Sequence, residues 1–162
     1  MRYLSKVLVV ASGLLAIVGL QSSTLAQMSA TVARAGEHHI TVILHDGAVY
    51  IHGSVNGSRA TLLLDTGAAL TTLSLKLVPA VDSRSRITVN LAKGSVPAYR
   101  LPVGFVLGDS KLKDEHCSFY QNAIVGDFKF GEADGVVGLD VLSSFKFVTL
   151  DFKHSVLILE DR

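Results

Sequence analysis

The chain has 162 residues, 49% of them hydrophobic, with 15 basic and 14 acidic side chains and a formal charge of +1. No basic surplus points to nucleic acid, and no polybasic run points to a charged membrane surface. Cys117 is the only cysteine, which excludes an intrachain disulfide and leaves either a buried thiol or a link between chains.

Arg2 and Lys6 precede an uncharged apolar run from Val7 to Leu20, and Thr24-Leu25-Ala26 then supplies small residues. This is the layout of a secretory signal peptide over residues 1–26, cleaved near Ala26. The alternative is a retained anchor, the one way this chain would meet a membrane. The run is short of the roughly twenty residues a spanning helix needs. No cysteine near the cut offers a lipid attachment point. Loss of Arg2 and Lys6 takes the formal charge from +1 to −1. About 136 residues remain, enough for one domain with its own core. The expected localisation is exported, periplasmic or extracellular.

Residues 27–37 lack a period and read as a flexible leader. From residue 38 to 162 the signals are almost all β. Ile40 to Leu44 is rich in branched residues, and Asp46-Gly47 after it is a hairpin turn in which both residues favour positive φ. Val49, Ile51, Gly53 and Val55 alternate with polar partners. Asn56-Gly57 makes a second tight turn, and Arg59 to Leu64 is the next strand. It delivers Asp65-Thr66-Gly67-Ala68, an acidic group on a turn between apolar stretches. A carboxylate in such a place is costly unless backbone and partners stabilise it. The bland alternative is an ordinary turn with Asp65 bonded to nearby N–H groups.

Leu70 to Leu73 reads as a strand and Leu75 to Val78 as a helical turn stopped by Pro79. Ile87 to Leu91 and Val96 to Leu101 read as a hairpin around residues 92–95, and Val103 to Leu107 as a separate strand. Residues 109–121 are polar and give no assignment; residues 128–135 carry loop signals. In Val136-Val137-Gly138-Leu139-Asp140, Asp140 reads as the cap of a short helix over Val141 to Phe145. Phe147 to Phe152 and Val156 to Leu159 are strands around a turn. Many short strands at regular spacing indicate an all-β barrel or sandwich with one short helix near the C-terminus.

The histidines show no two-ligand helical spacing, and Glu115-His116-Cys117 would point its side chains apart on a strand. No metal and no cofactor are expected. Ser74 and Ser95 lack the setting of a hydrolase elbow, and no phosphate-binding glycine loop is present.

A strand, Asp65-Thr66-Gly67-Ala68, and much later Val136-Val137-Gly138 with a short helix together resemble the retropepsin-like aspartic proteases, nearest their single-domain, bacterial exported branch. The resemblance spans residues 40–160. It implies a closed β-barrel of the acid protease type. It also implies an aspartic endopeptidase in which Asp65 from two copies forms a dyad that activates water. By the same resemblance Thr66 locks the two turns together across a homodimer, Gly67 and Ala68 leave room for a peptide substrate, and Gly138 lies under the turn where a side chain would collide. The covering hairpin is expected around Thr88 to Arg100, with Gly94 near its tip. Val156 to Leu159 is the candidate dimer strand. Residues 109–131 are longer than a minimal member needs and read as a lid, a dimer arm or a surface loop. The alternative function is a non-catalytic exported domain that binds extended peptide or protein partners by strand addition.

Overall fold

The computed structural model describes residues 35–78, 80–91, 94–111 and 115–162. The expected signal peptide, most of the expected leader, Pro79 and two residues of the expected hairpin tip lie outside them. Ten strands form one sheet: β1 (Glu37–His45), β2 (Ala48–Val55), β3 (Ser58–Leu64), β4 (Thr72–Ser74), β5 (Arg86–Leu91), β6 (Gly94–Gly108), β7 (His116–Gly126), β8 (Gly135–Val137), β9 (Phe147–Asp151) and β10 (Val156–Glu160). Their order is β5-β6-β7-β4-β8-β3-β2-β1-β10-β9, with β6 also pairing β2 through Gly53↔Leu107 to Val55↔Phe105. One α-helical turn, α1 (Leu139–Leu142), and two 3-10 turns complete the described residues.

Local chemistry sets the first hairpins. Asp46 and Gly47 have φ of 49° and 74°, and Asn56 and Gly57 of 48° and 80°. Both turns therefore take the twist that suits two-residue hairpins. Asn56 does a second job: its Oδ1 accepts from the Gly104 N–H at 2.9 Å, tying the turn to β6. Alternation then buries one face of each strand. Ile51 and Val55 of β2, Phe105 and Leu107 of β6, and Leu157 and Leu159 of β10 are all buried. Each such side chain contributes about 1.5–3 kcal/mol on burial. Phe105 stacks on Phe119 with ring centroids 5.2 Å apart, and Phe119 meets Phe145 edge to face at 6.3 Å.

Five expectations need correction. The strands expected at 96–101 and 103–107 are one, β6, fifteen residues long. Pro102 interrupts nothing because it lies between the stretch paired with β5, ending at Tyr99, and the stretch paired with β2, starting at Phe105. On that side of β6 no ladder bond is asked of it. The stretch 109–131 is in part a strand: His116 to Gly126 is β7, paired with β6 from Gly108↔His116 to Ala98↔Gly126. The strand expected at 70–73 begins only at Thr72, and Leu70 is 44% exposed. The helix starts earlier than expected, at Leu139, with Gly138 at its N-cap and Asp140 inside its first turn. Last, β10 is interior, flanked by β1 and β9, so the free edge at this end is β9. Phe147 on that edge is 59% exposed and Phe152 just beyond it 66%.

The hairpin expected at 88–100 is present as β5–β6, paired from Arg86↔Tyr99 to Leu91↔Gly94. Its side chains on β5 alternate between half-buried and exposed up to Asn90.

Candidate active site

The site forms where β8 passes between β3 and β4. β8 runs parallel to β3 through Leu62↔Gly135, Leu63↔Val136 and Leu64↔Val137, and antiparallel to β4 through Thr72↔Val136 and Leu73↔Gly135. The chain from β3 to β4 must therefore loop over the end of β8. Residues 65–71 make that loop. Asp65 is its first residue, directly after Leu64.

Backbone bonds fix the turn. The Asp65 N–H donates to the Val137 carbonyl at 3.1 Å, and the Ala68 N–H closes back on the Asp65 carbonyl at 3.2 Å. The Asp65 carboxylate accepts from the Gly67 N–H at 2.7 Å through Oδ1. One oxygen is thus oriented by the backbone. Asp65 and Ala68 are half-buried, and Thr66 and Gly67 are exposed. A Cβ on Gly67 would sit 3.1 Å from Asp65 Oδ1, so glycine here keeps space beside the carboxylate.

Gly138 lies against the loop from below. A Cβ there would come within 2.8 Å of the Ala68 oxygen and 2.8 Å of the Leu70 carbonyl carbon. The following residue stitches the same contact, with the Leu139 N–H donating to the Ala68 carbonyl at 2.8 Å.

Two residues that the sequence did not mark as functional sit at the other end of the loop. Thr71 is 0% exposed and is the buried polar residue of the described core. Its N–H and its hydroxyl both donate to Asp140 Oδ1, at 2.9 and 2.7 Å. The hydroxyl oxygen accepts from the Gly138 N–H at 3.0 Å. Asp140 Oδ1 also takes the Val141 N–H at 2.9 Å. Asp140 was expected only as a helix cap; it instead binds a residue 69 positions away. No sequence signal links them, although a hydroxyl directly ahead of a strand and an acid two residues after a glycine are each visible. Asp140 Oδ2 is buried without a partner, a state that costs about 1–3 kcal/mol.

The remaining acids near the loop have their own partners. Asp134 accepts from the Thr61 N–H at 2.8 Å and pairs with Lys76. Burial raises its pKa, but the Lys76 ammonium and the Thr61 N–H outweigh that and hold the carboxyl below its ordinary value. Among the described residues no group of three or more His, Cys, Asp or Glu side chains is placed to hold a metal ion. Cys117 is buried in β7. Two grooves, of about 770 and 300 Å³, open along β2, β3 and β6 and beside Tyr120, and neither includes Asp65.

Comparison with known proteins bears on the fold. No family model matches the sequence, and no curated protein matches it. Among solved structures, the chain is similar to a retropepsin-like aspartic protease from Rickettsia conorii, with a TM-score of 0.52 and 20% identity, covering 78% of this chain and 91% of that one. It is also similar to the retroviral protease-like domain of Ddi1 from Leishmania major, at TM-score 0.45 and 20% identity over 76% and 90% of the two chains. A third match is EIAV protease complexed with the inhibitor HBY-793, at TM-score 0.41 and 20% identity over 58% and 84%.

Proposed function

From a chain with the retropepsin-like fold, we propose an exported aspartic endopeptidase that works as a homodimer. Asp65 of each copy would supply one carboxyl of a dyad. The single observation that supports this most is Asp65 itself. It is half-buried on a loop pinned to β8, one oxygen bound by the Gly67 N–H, with the neighbouring acids Asp134 and Asp140 engaged elsewhere. One such acid per chain is half of what the chemistry needs.

In aspartic proteases generally, like charges about 3 Å apart cannot both ionise, so the pair shares a proton. The ionised member takes a proton from a water, the protonated member donates to the peptide carbonyl oxygen, and the water attacks the carbonyl carbon. No covalent enzyme intermediate forms. The optimum is mildly acidic, because one carboxyl must keep its proton. Thr66, exposed at the tip of the loop, faces the second copy in this reading, and an extended peptide lies between the two loops under the β5–β6 hairpin. The surface offered to the second copy is the outer edge of β9. Its unpaired backbone groups and exposed Phe147 invite another strand. β10, sealed on both sides, has no such capacity. Residues 1–26 direct export in this account.

The test is cleavage of an unstructured peptide library by the purified mature chain, compared with Asp65→Asn across acidic to neutral pH. Cleavage by the wild type that is lost in the variant is expected. Equal turnover by both proteins would discard the role given to Asp65.

A further inference from the structure

The loop that carries Asp65 is held at both ends, and the two ends are held differently. At the Asp65 end the bonds are backbone to backbone: Asp65 N–H to Val137 and Leu139 N–H to Ala68. At the far end the bonds to Gly138 and Asp140 run through side chains. The Thr71 hydroxyl accepts from Gly138 and donates to Asp140, and Asp140 takes the Thr71 N–H as well. The Thr71 carbonyl accepts from the Ile124 N–H at 2.9 Å, so β7 holds it from the other side.

This has a physical consequence. Gly138 is the residue on which the loop rests, with no space for a Cβ beneath Ala68 and Leu70. Its N–H is oriented by the Thr71 hydroxyl, and that hydroxyl is oriented by Asp140. A buried carboxylate with one oxygen lacking a partner is not what stability alone would select at this position. A buried hydrogen-bonded network can instead fix one geometry among several compact ones.

We propose that Thr71 and Asp140 are positioning residues for Asp65: they act as a side-chain clamp that sets the height of the 65–71 loop over Gly138, and through it the alignment of the Asp65 carboxyl. Neither touches the reacting atoms. The proposal rests on the reading of Asp65 as the acid of an endopeptidase, and its test is chosen to separate the two.

Thr71→Val keeps shape and removes the hydroxyl; Thr71→Ser keeps the hydroxyl. Asp140→Ala removes the other half of the clamp. Each folded variant is assayed for kcat and KM, and its Asp65 carboxyl is titrated by carbon-13 NMR. Thr71→Val is expected to lower kcat by roughly 100-fold, the scale of a 1 Å misplacement, with KM little changed and the Asp65 titration midpoint moved. Thr71→Ser is expected to restore both. The Thr71→Val/Asp140→Ala double variant is expected to be no worse than the poorer single one, because both remove the same clamp. A Thr71→Val protein with wild-type kcat and an unmoved Asp65 midpoint would overturn the proposal, as would a Thr71→Ser protein no better than Thr71→Val. A wild-type chain that cleaves no peptide would overturn the endopeptidase reading, and the Asp65 titration would still decide the clamp.

Discussion

Gly138 and Ala68 are 70 residues apart in sequence and in contact in the fold: a methyl group on Gly138 would lie 2.8 Å from the Ala68 carbonyl oxygen. The oxygen cannot retreat freely, because the Leu139 N–H holds it at 2.8 Å. Gly138→Ala therefore forces the loop upward or the start of α1 downward. Overpacking of this kind costs about 1–3 kcal/mol. Urea unfolding is expected to show that loss as a lower midpoint with an unchanged slope. An unchanged midpoint would mean the loop yields without cost.

The core makes an independent prediction. Phe105 is buried and stacks on Phe119 at 5.2 Å, joining β6 and β7 to the residues around α1. Phe105→Ala is expected to destabilise the chain by about 3–5 kcal/mol, read from the same unfolding curve. A loss under about 1 kcal/mol would show that the site collapses around the missing ring.

Asp134 carries an acid dependence with a definite sign. Its carboxyl is raised by burial but lowered further by Lys76 and the Thr61 N–H, and it ends below the ordinary 3.8. Near that pH the unfolded chain binds more protons than the folded one. The stabilisation is full above 3.8 and is lost as pH falls through the lower folded value. Asp134→Asn is expected to be less stable than wild type at neutral pH, with the two proteins converging in acid. Asp151, lowered by His154, is common to both and cancels in the comparison. Parallel curves down to strong acid would contradict the assignment.

Cys117 is expected to be inert. Burial, with a smaller push from Asp161, raises its thiol to about 11, and the thiolate is the reactive form. Alkylation at mildly alkaline pH is expected to be slow in the folded protein and fast in urea. Rapid labelling of the folded chain would show that β7 opens.

Much of this fold was legible because its signals are local. Asp46-Gly47 and Asn56-Gly57 could only be tight turns, and the apolar run into Asp65 announced a strand with a covered acid at its end. The parts that escaped notice depend on distant partners. β7 hid because its outward residues, Ser118, Tyr120 and Asn122, are polar or amphipathic, and Gln121 breaks the apolar period of Cys117, Phe119 and Ala123. Residues 96–101 and 103–107 read as two strands because the gap between the β5 and β2 partners of β6 is a tertiary fact. Asp140 looked like a cap for the same reason: an acid near a helix start satisfies that reading, and nothing nearby in sequence reveals Thr71. The free edge at β9 rather than β10 follows from β1 taking the other side of β10, a pairing across the whole chain.

Association through β9 is open to its own test. Replacing Phe147 and Phe152 together with serine is expected to weaken self-association, seen in sedimentation as a shift to the smaller species at a given concentration. Both side chains are exposed in the single chain, so its unfolding midpoint at high dilution is expected to change little. Unaltered self-association would move the interface elsewhere.

The central claim is that two Asp65 side chains share one reaction. Wild-type chain and Asp65→Asn chain are unfolded together in varied proportions, refolded so that subunits mix, and assayed for peptide cleavage at fixed total protein. Activity falling as the square of the wild-type fraction is the predicted result, since a dimer with one Asp65 is inactive. Activity falling in direct proportion to that fraction would mean one Asp65 suffices, and the shared dyad would be wrong.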